Sequence, residues 1–157
     1  MSNETSFDAG VVVRDAVSRS LAVVGLAGVA LIHVLDAHDT FVSTPYKGWM
    51  YVALIAGCLG TAVALVRSSD RRVWLAGMLL PAAALLAFVY SRTVGMPGGA
   101  DDIGNWWEPL GLASVAVESF VIALCGAVLY GDGEPGAVAA QRSLRDRGRS
   151  DRLTIPA

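Results

Sequence analysis

Four stretches of this chain, 17–35, 49–66, 73–90 and 110–130, are nearly uncharged over lengths that match the thickness of a bilayer. Crossing about 30 Å of hydrocarbon takes roughly 17 to 25 helical residues, and an unpaired backbone group in that medium costs several kcal/mol. Within these stretches the backbone is therefore expected to be helical. A hydrophobic fraction of 54% and a mean hydropathy of +0.53 are high for a soluble chain of 157 residues. The expected fold is all-α: a four-helix transmembrane bundle over 17–130, with a cytoplasmic arm at 1–16 and a disordered, Arg-rich cytoplasmic tail at 131–157.

A secretory signal peptide is the rival reading of the first stretch. Glu4, Asp8 and Asp15 precede it, however, and "HVLDAHD" is a poor small-residue cleavage site. An uncleaved helix is expected.

Basic flanks set the direction, because short Lys- and Arg-bearing segments resist translocation. Arg14 and Arg19, then Arg67, Arg71 and Arg72, then Arg142, Arg145, Arg147, Arg149 and Arg152 fall on one side of a four-span chain; only Lys47 and Arg92 fall on the other. That asymmetry predicts a multi-pass protein of the cell membrane with both termini in the cytoplasm. Dropping one span would scatter the arginines over both faces. Tyr46, Trp49, Tyr51, Tyr90, Trp106 and Trp107 gather at the expected outer helix ends, where amphipathic rings favour the headgroup level.

Helices in lipid associate through close approach and hydrogen bonds, which favours small residues at contacts. Ala53, Ala56, Gly57, Gly60 and Ala64 mark one side of the second span as the expected seam, and Gly25 and Gly28 a similar site on the first. In the fourth span Gly111, Ser114, Glu118, Ile122 and Cys125 share a face, expected to look inward. Pro81 removes a backbone donor in the third span and is expected to loosen it near Gly77. Cys58 and Cys125 lie in apolar runs and read as small hydrophobes rather than a disulfide.

Almost every residue able to hold a cation or move a proton falls on the expected outer side. Glu118 lies eight residues into its span, about 12 Å along the helix, where an ionised and unpaired acid costs up to about 3 kcal/mol. His33 and Arg92 are its candidate partners. Either contact would fix helix order, whereas a carboxylate left available would carry a proton or meet a ligand. His33, Asp36 and His38 in "HVLDAHD" offer imidazole and carboxylate ligands for a transition metal, with His33 and Asp36 on one helical face and His38 dependent on a folded-back loop. Helix capping and solvation explain the same residues without a metal.

The third loop adds Asp101, Asp102, Asn105 and Glu108. "MPGG" reads as a turn, with Gly98 and Gly99 free to adopt positive φ; Asp101 is then placed to cap a short interfacial helix carrying Ile103, Trp106 and Trp107, a lid over the bundle. The run "SRTVGMPGGADDIGNWWEPLGLASVAVES" resembles a segment of uncharacterised four-helix integral membrane proteins of actinobacteria. That resemblance covers about thirty residues of the chain. It implies the architecture, points to Arg92, Asp101, Asp102, Asn105, Glu108 and Glu118, and implies no activity.

No phosphate-binding glycine loop, nucleophile elbow, Cys-pair metal site or nucleotide fingerprint occurs, and no nucleophile–base pair of recognised geometry is visible, so an intramembrane enzyme is the least supported reading. The arginine tail is too mixed with acids and too poor in aromatics for nucleic-acid binding. Two readings stand. The first is a subunit or accessory factor with an outer polar pocket for a partner or ligand, in contact with lipid and with other membrane subunits or further copies of itself. The second is a proton- or metal-coupled transport or metal-handling protein using Glu118 and the outer His/Asp cluster.

Overall fold

The computed structural model describes residues 2–131, with side chains from Val12 onward. The Arg-rich tail expected at 131–157 lies, apart from its first residue, outside the described residues. Four helices make up the fold: α1 (Ser2–Ser43), α2 (Pro45–Arg67), α3 (Arg71–Thr93) and α4 (Pro109–Gly131). Each contains a stretch long and apolar enough to cross a membrane. The chain is an all-α, four-helix membrane protein in contact with the bilayer. The first helix outruns the expected 17–35 span at both ends, because nothing in 2–16 or 36–43 breaks a helix: neither segment holds a proline.

Turn chemistry places the helix ends. Pro45 opens α2 and Pro109 opens α4, positions where a missing N–H leaves no hydrogen bond unmade. Asp70 caps α3 by accepting a hydrogen bond from Arg72 N at 2.9 Å. Pro81 is buried inside α3, which continues through it as helix.

The helices meet closely around Gly77 of α3. A methyl group there would stand 3.3 Å from Cys125 Sγ on α4, 3.7 Å from Thr61 Cγ2 on α2 and 3.9 Å from Leu26 Cδ1 on α1. Leu26, Cys58, Leu65, Trp74, Val121 and Cys125 are buried around this point. Gly25 lets α1 approach α4: a methyl group would stand 2.5 Å from Val121 Cγ2. Ser114, Glu118 and Cys125 are buried on the inward face of α4, as their spacing predicted.

The seam expected on α2 is not its packed face. That helix buries Gly48, Cys58, Thr61, Ala62 and Leu65, while Ala53, Ala56 and Gly60 are exposed. Of the expected set, Gly57 does make a close approach, to Leu80 of α3. Thr61 meets the groove beside Gly77 and Leu65 is buried on the same helix, while Ala53, Ala56 and Gly60 turn outward.

At one end of the bundle, α1 is clasped to the α2–α3 turn by Arg19. Its guanidinium donates to Leu65 O (2.8 Å), Ser68 O (2.7 Å) and Ser69 Oγ (2.6 Å), pairs with Asp15 (2.8 Å), and lies 6.0 Å from the centroid of Trp74. The carbonyls at the end of α2 are the negative pole of that helix, so a cation there is favoured. Arg19, Arg67, Arg71 and Arg72 thus share one end, called here the basic end; Lys47, Arg92 and the α3–α4 loop share the other, the loop end.

This packing predicts opposite responses at two glycines. Gly25→Leu forces a side chain into Val121 and should cost about 1–3 kcal/mol, whereas Gly60→Leu, with nothing within 4 Å, should change stability by no more than about 0.5 kcal/mol. Thermal unfolding of both variants in the same mild detergent checks the assignment, and equal losses would overturn the α2 orientation.

Candidate functional site

The loop 94–108 is tied down by its own turns and by three side chains beneath it. Gly95, Gly98 and Gly104 hold positive φ (86°, 73° and 80°), and Gly104 N donates to Arg92 O at 2.9 Å, folding the loop back over the end of α3. Gly99 does not share that conformation. It precedes a single 3-10 turn, Ala100–Asp102, and fills the capping position expected for Asp101. The surface helix expected through Ile103, Trp106 and Trp107 is absent: Gly104 breaks it with its positive φ. Trp107 is 84% exposed, while Trp106 meets the ring of Phe88 edge-on with centroids 6.1 Å apart.

Arg92 organises this layer. It is only 6% exposed, and its guanidinium donates to Asp102 Oδ1 (3.0 Å) and to Glu108 Oε2, with its Cζ 5.0 Å from the Phe88 centroid. The other oxygen of Asp102 takes Lys47 Nζ at 2.9 Å, so one carboxylate bridges α2 and α3. Tyr46 Oη reaches Pro97 O at 2.8 Å. Two cations and two acids thereby close over the α2 and α3 ends as a strap. Asp101 and Asn105 are exposed beside it and put no side chain into it.

Below the strap lies a cavity of about 650 Å³ lined by all four helices. Glu118 forms part of its wall. The carboxyl is 1% exposed; Oε1 accepts a hydrogen bond from Ser114 Oγ at 2.7 Å, and Oε2 has no partner. Of the two partners expected for Glu118, Arg92 is taken by the loop acids, and His33 faces it with Nε2 4.0 Å from Oε1. His33 Nδ1 lies 2.9 Å from Val29 O, which only accepts, so Nδ1 carries the proton and Nε2 of the neutral ring is an acceptor. Glu118 Oε1, already holding Ser114, and the acceptor nitrogen of His33 thus stand too far apart for a direct hydrogen bond.

A second polar group adjoins the first. His33 packs edge-on against Tyr51 (centroids 4.7 Å apart), and Tyr51 Oη donates to Asp36 Oδ2 at 2.9 Å, which also takes Thr40 Oγ1 at 3.3 Å. Hydroxyls already occupy the Asp36 oxygen, and His38 is exposed away from it. The structure does not bring His33, Asp36 and His38 together. Among the described residues, no group of three or more His, Cys, Asp or Glu side chains is placed to hold a metal ion.

Comparison of the chain with protein-family models, with curated proteins and with solved structures finds no match in any of the three. Function must therefore be read from the site itself. Lys47, Tyr51 and Thr40 belong to it although the sequence marked them only as flank charge, interfacial ring and loop residue. The available signal was local spacing: Asp36 and Thr40 are four apart, as are Ser114 and Glu118, which puts each pair on one helical face.

Arg92 and Glu118 are both buried yet differ in kind, and stability should separate them. Arg92→Met leaves Glu108 without its cation and Asp102 with Lys47 alone; both acids are partly exposed, so the loss should be about 1–3 kcal/mol. Glu118→Leu removes a carboxyl holding one hydrogen bond and an unpartnered oxygen, and should leave the unfolding midpoint unchanged or raised. A Glu118→Leu loss comparable to that of Arg92→Met would make Glu118 a structural lock.

Proposed function

We propose that this chain is a ligand-binding subunit or accessory factor of the cell membrane, with both termini in the cytoplasm and the cavity reached from the opposite side. The observation that carries the reading is Glu118, which lines a cavity large enough for a small molecule and whose Oε2 is buried without a partner. A carboxyl in that state is costly at this depth and offers an acceptor to whatever enters. Direction rests on the charge distribution: among the described residues the basic end holds Arg19, Arg67, Arg71 and Arg72, the loop end only Lys47 and Arg92, both engaged by acids. The likeness of the third loop to actinobacterial four-helix proteins fits the same architecture, and we propose kinship with them on that basis.

A pocket suits the geometry better than a conduit. Beneath Glu118 the four helices close on Leu26, Thr61, Gly77 and Cys125, leaving the cavity blind toward the basic end. The second reading, proton-coupled transport, draws on the same Glu118–His33 pair: either partner can hold a proton, and at 4.0 Å its passage between them requires a bridging water or a side-chain shift. It requires the packed half to open.

Access decides the first reading. In intact cells, a polar thiosulfonate that does not cross the membrane should modify Ala87→Cys, in the cavity wall, from outside, while Leu26→Cys stays unreactive; the native Cys58 and Cys125 are buried. Protection of Ala87→Cys in cells with full reaction in inverted vesicles would reverse the topology. Protection in both would remove the pocket. For the second reading, Glu118→Gln in proteoliposomes should abolish proton-coupled flux while assembly is kept, and retained flux would discard it.

A further inference from the structure

The cavity has a side opening as well as a roof. Met50 and Ala53 on α2 and Ala83 on α3 all line it and are all exposed, and Ala84 and Ala87 continue the same wall. Gly57 against Leu80 closes the gap between α2 and α3 below this level; the Lys47–Asp102–Arg92 bridge closes it above. Between the two closures α3 lines the cavity with Ala83, Ala84 and Ala87 and α2 with Met50, Ala53 and Leu54, and the two pack least closely of the sequential helix pairs. Ala53 lies eight residues from the start of α2 and Glu118 nine from the start of α4, so opening and carboxyl sit at a similar depth, about 12–13 Å along their helices. That level falls within the hydrocarbon.

Charge inside the cavity is one-sided. Its two fixed cations, Lys47 and Arg92, are engaged by Asp102 and Glu108, which leaves Asp36, Asp39 and Glu118 with no Lys or Arg partner among the described residues. Glu118 has Oε2 without a partner, and His33 Nε2, an acceptor, stands 4.0 Å from its Oε1, both residues lining the cavity. An anionic head would be repelled here. A head group with several N–H donors and a positive charge satisfies both acceptors and neutralises the carboxylate.

We propose that the cavity binds an amphiphilic amine, its ammonium head hydrogen-bonded to Glu118 Oε2 and its apolar chain leaving between Ala53 and Ala83 into the bilayer. This rests on the pocket reading above and adds the class of ligand and the route. Alanine is the side chain such a route needs, since any larger residue at 53 or 83 would fill the gap. The chain stays in hydrocarbon throughout, and only the head enters the polar space.

The test uses the full chain in phosphatidylcholine nanodiscs and a decylamine carrying a photoreactive diazirine at mid-chain. Irradiation should label peptides containing Ala53 and Ala83, saturably. Unlabelled decylamine should compete at least about tenfold better than decanol, which lacks the charge, or butylamine, which lacks the chain, and Glu118→Gln should weaken labelling by about tenfold or more. Equal competition by decanol, or undiminished labelling of Glu118→Gln, would overturn the amine. Equal competition by butylamine would overturn the lateral route while leaving a polar pocket intact. Absence of saturable labelling in the parent chain would overturn the proposal, and thiosulfonate access to Ala87→Cys would then show whether the pocket itself survives. Nanodiscs containing phosphatidylethanolamine separate two sources of the same chemistry: suppressed labelling assigns the head group of a bilayer lipid, unchanged labelling a free lipophilic amine.

Discussion

In hydrocarbon an apolar side chain gains nothing by turning inward, so the inward faces of these helices must be chosen by close approach and by polar contacts. The distribution of side chains follows from that one constraint. Val24, Leu31, Val66, Leu86 and Phe120 are exposed where lipid takes the place of water, while Arg92, Glu118, His33 and Ser114 are buried. Glycines act where helices touch: Gly25 admits Val121, and Gly77 admits side chains from the three other helices. What would be an inverted protein in water is an ordinary one in a bilayer.

The two ends of the bundle are fastened differently, and the difference locates the cavity. At the basic end a single residue, Arg19, satisfies carbonyls at the end of α2 and lies over Trp74, so α1, α2 and α3 converge and the interior fills. At the loop end α2 and α3 are joined through Asp102, a side chain from the connecting loop rather than from either helix. A bridge of that kind holds the helices at the distance the carboxylate spans instead of drawing them into contact. The cavity is the space this spacing leaves. Its roof is fixed by Gly104 N on Arg92 O and by Tyr46 on Pro97 O, so the loop is a built part of the site.

The number of spans was legible in the sequence because length and apolarity are one-dimensional properties, and backbone satisfaction in lipid permits only helices; helix ends were less so, α1 running well past 17–35 on both sides. The inward face of α4 was legible too, since Ser114, Glu118 and Cys125 mark it at helical spacing. On α2 the same reasoning chose the wrong side. Small residues are compatible both with a helix contact and with the wall of an opening, and Ala53, Ala56 and Gly60 cannot be told apart in that respect until Thr61 is seen against Gly77. Pairing of Arg92 was misread for a related reason. Glu118 and Arg92 are near in the bundle, yet Asp102 and Glu108 arrive at Arg92 through the fold of a loop whose course depends on three positive-φ glycines. Composition indicated that the loop was polar; its backbone decided which cation it consumed.

That consumption is what gives Glu118 its meaning. Had Arg92 paired with it, the carboxyl would be a strut between α3 and α4, and the loop acids would be mere surface. Instead the acids at the mouth neutralise the cations there, and the deepest acid, held by Ser114 through Oε1, keeps Oε2 without a partner. A buried polar atom left unpartnered is an arrangement that folding energetics do not favour. On the proposed reading a buried leucine there would serve the bundle as well and the carboxyl is kept for what it receives. Its depth, level with the alanine-lined gap rather than with the headgroups, would direct that receipt toward molecules already in the membrane.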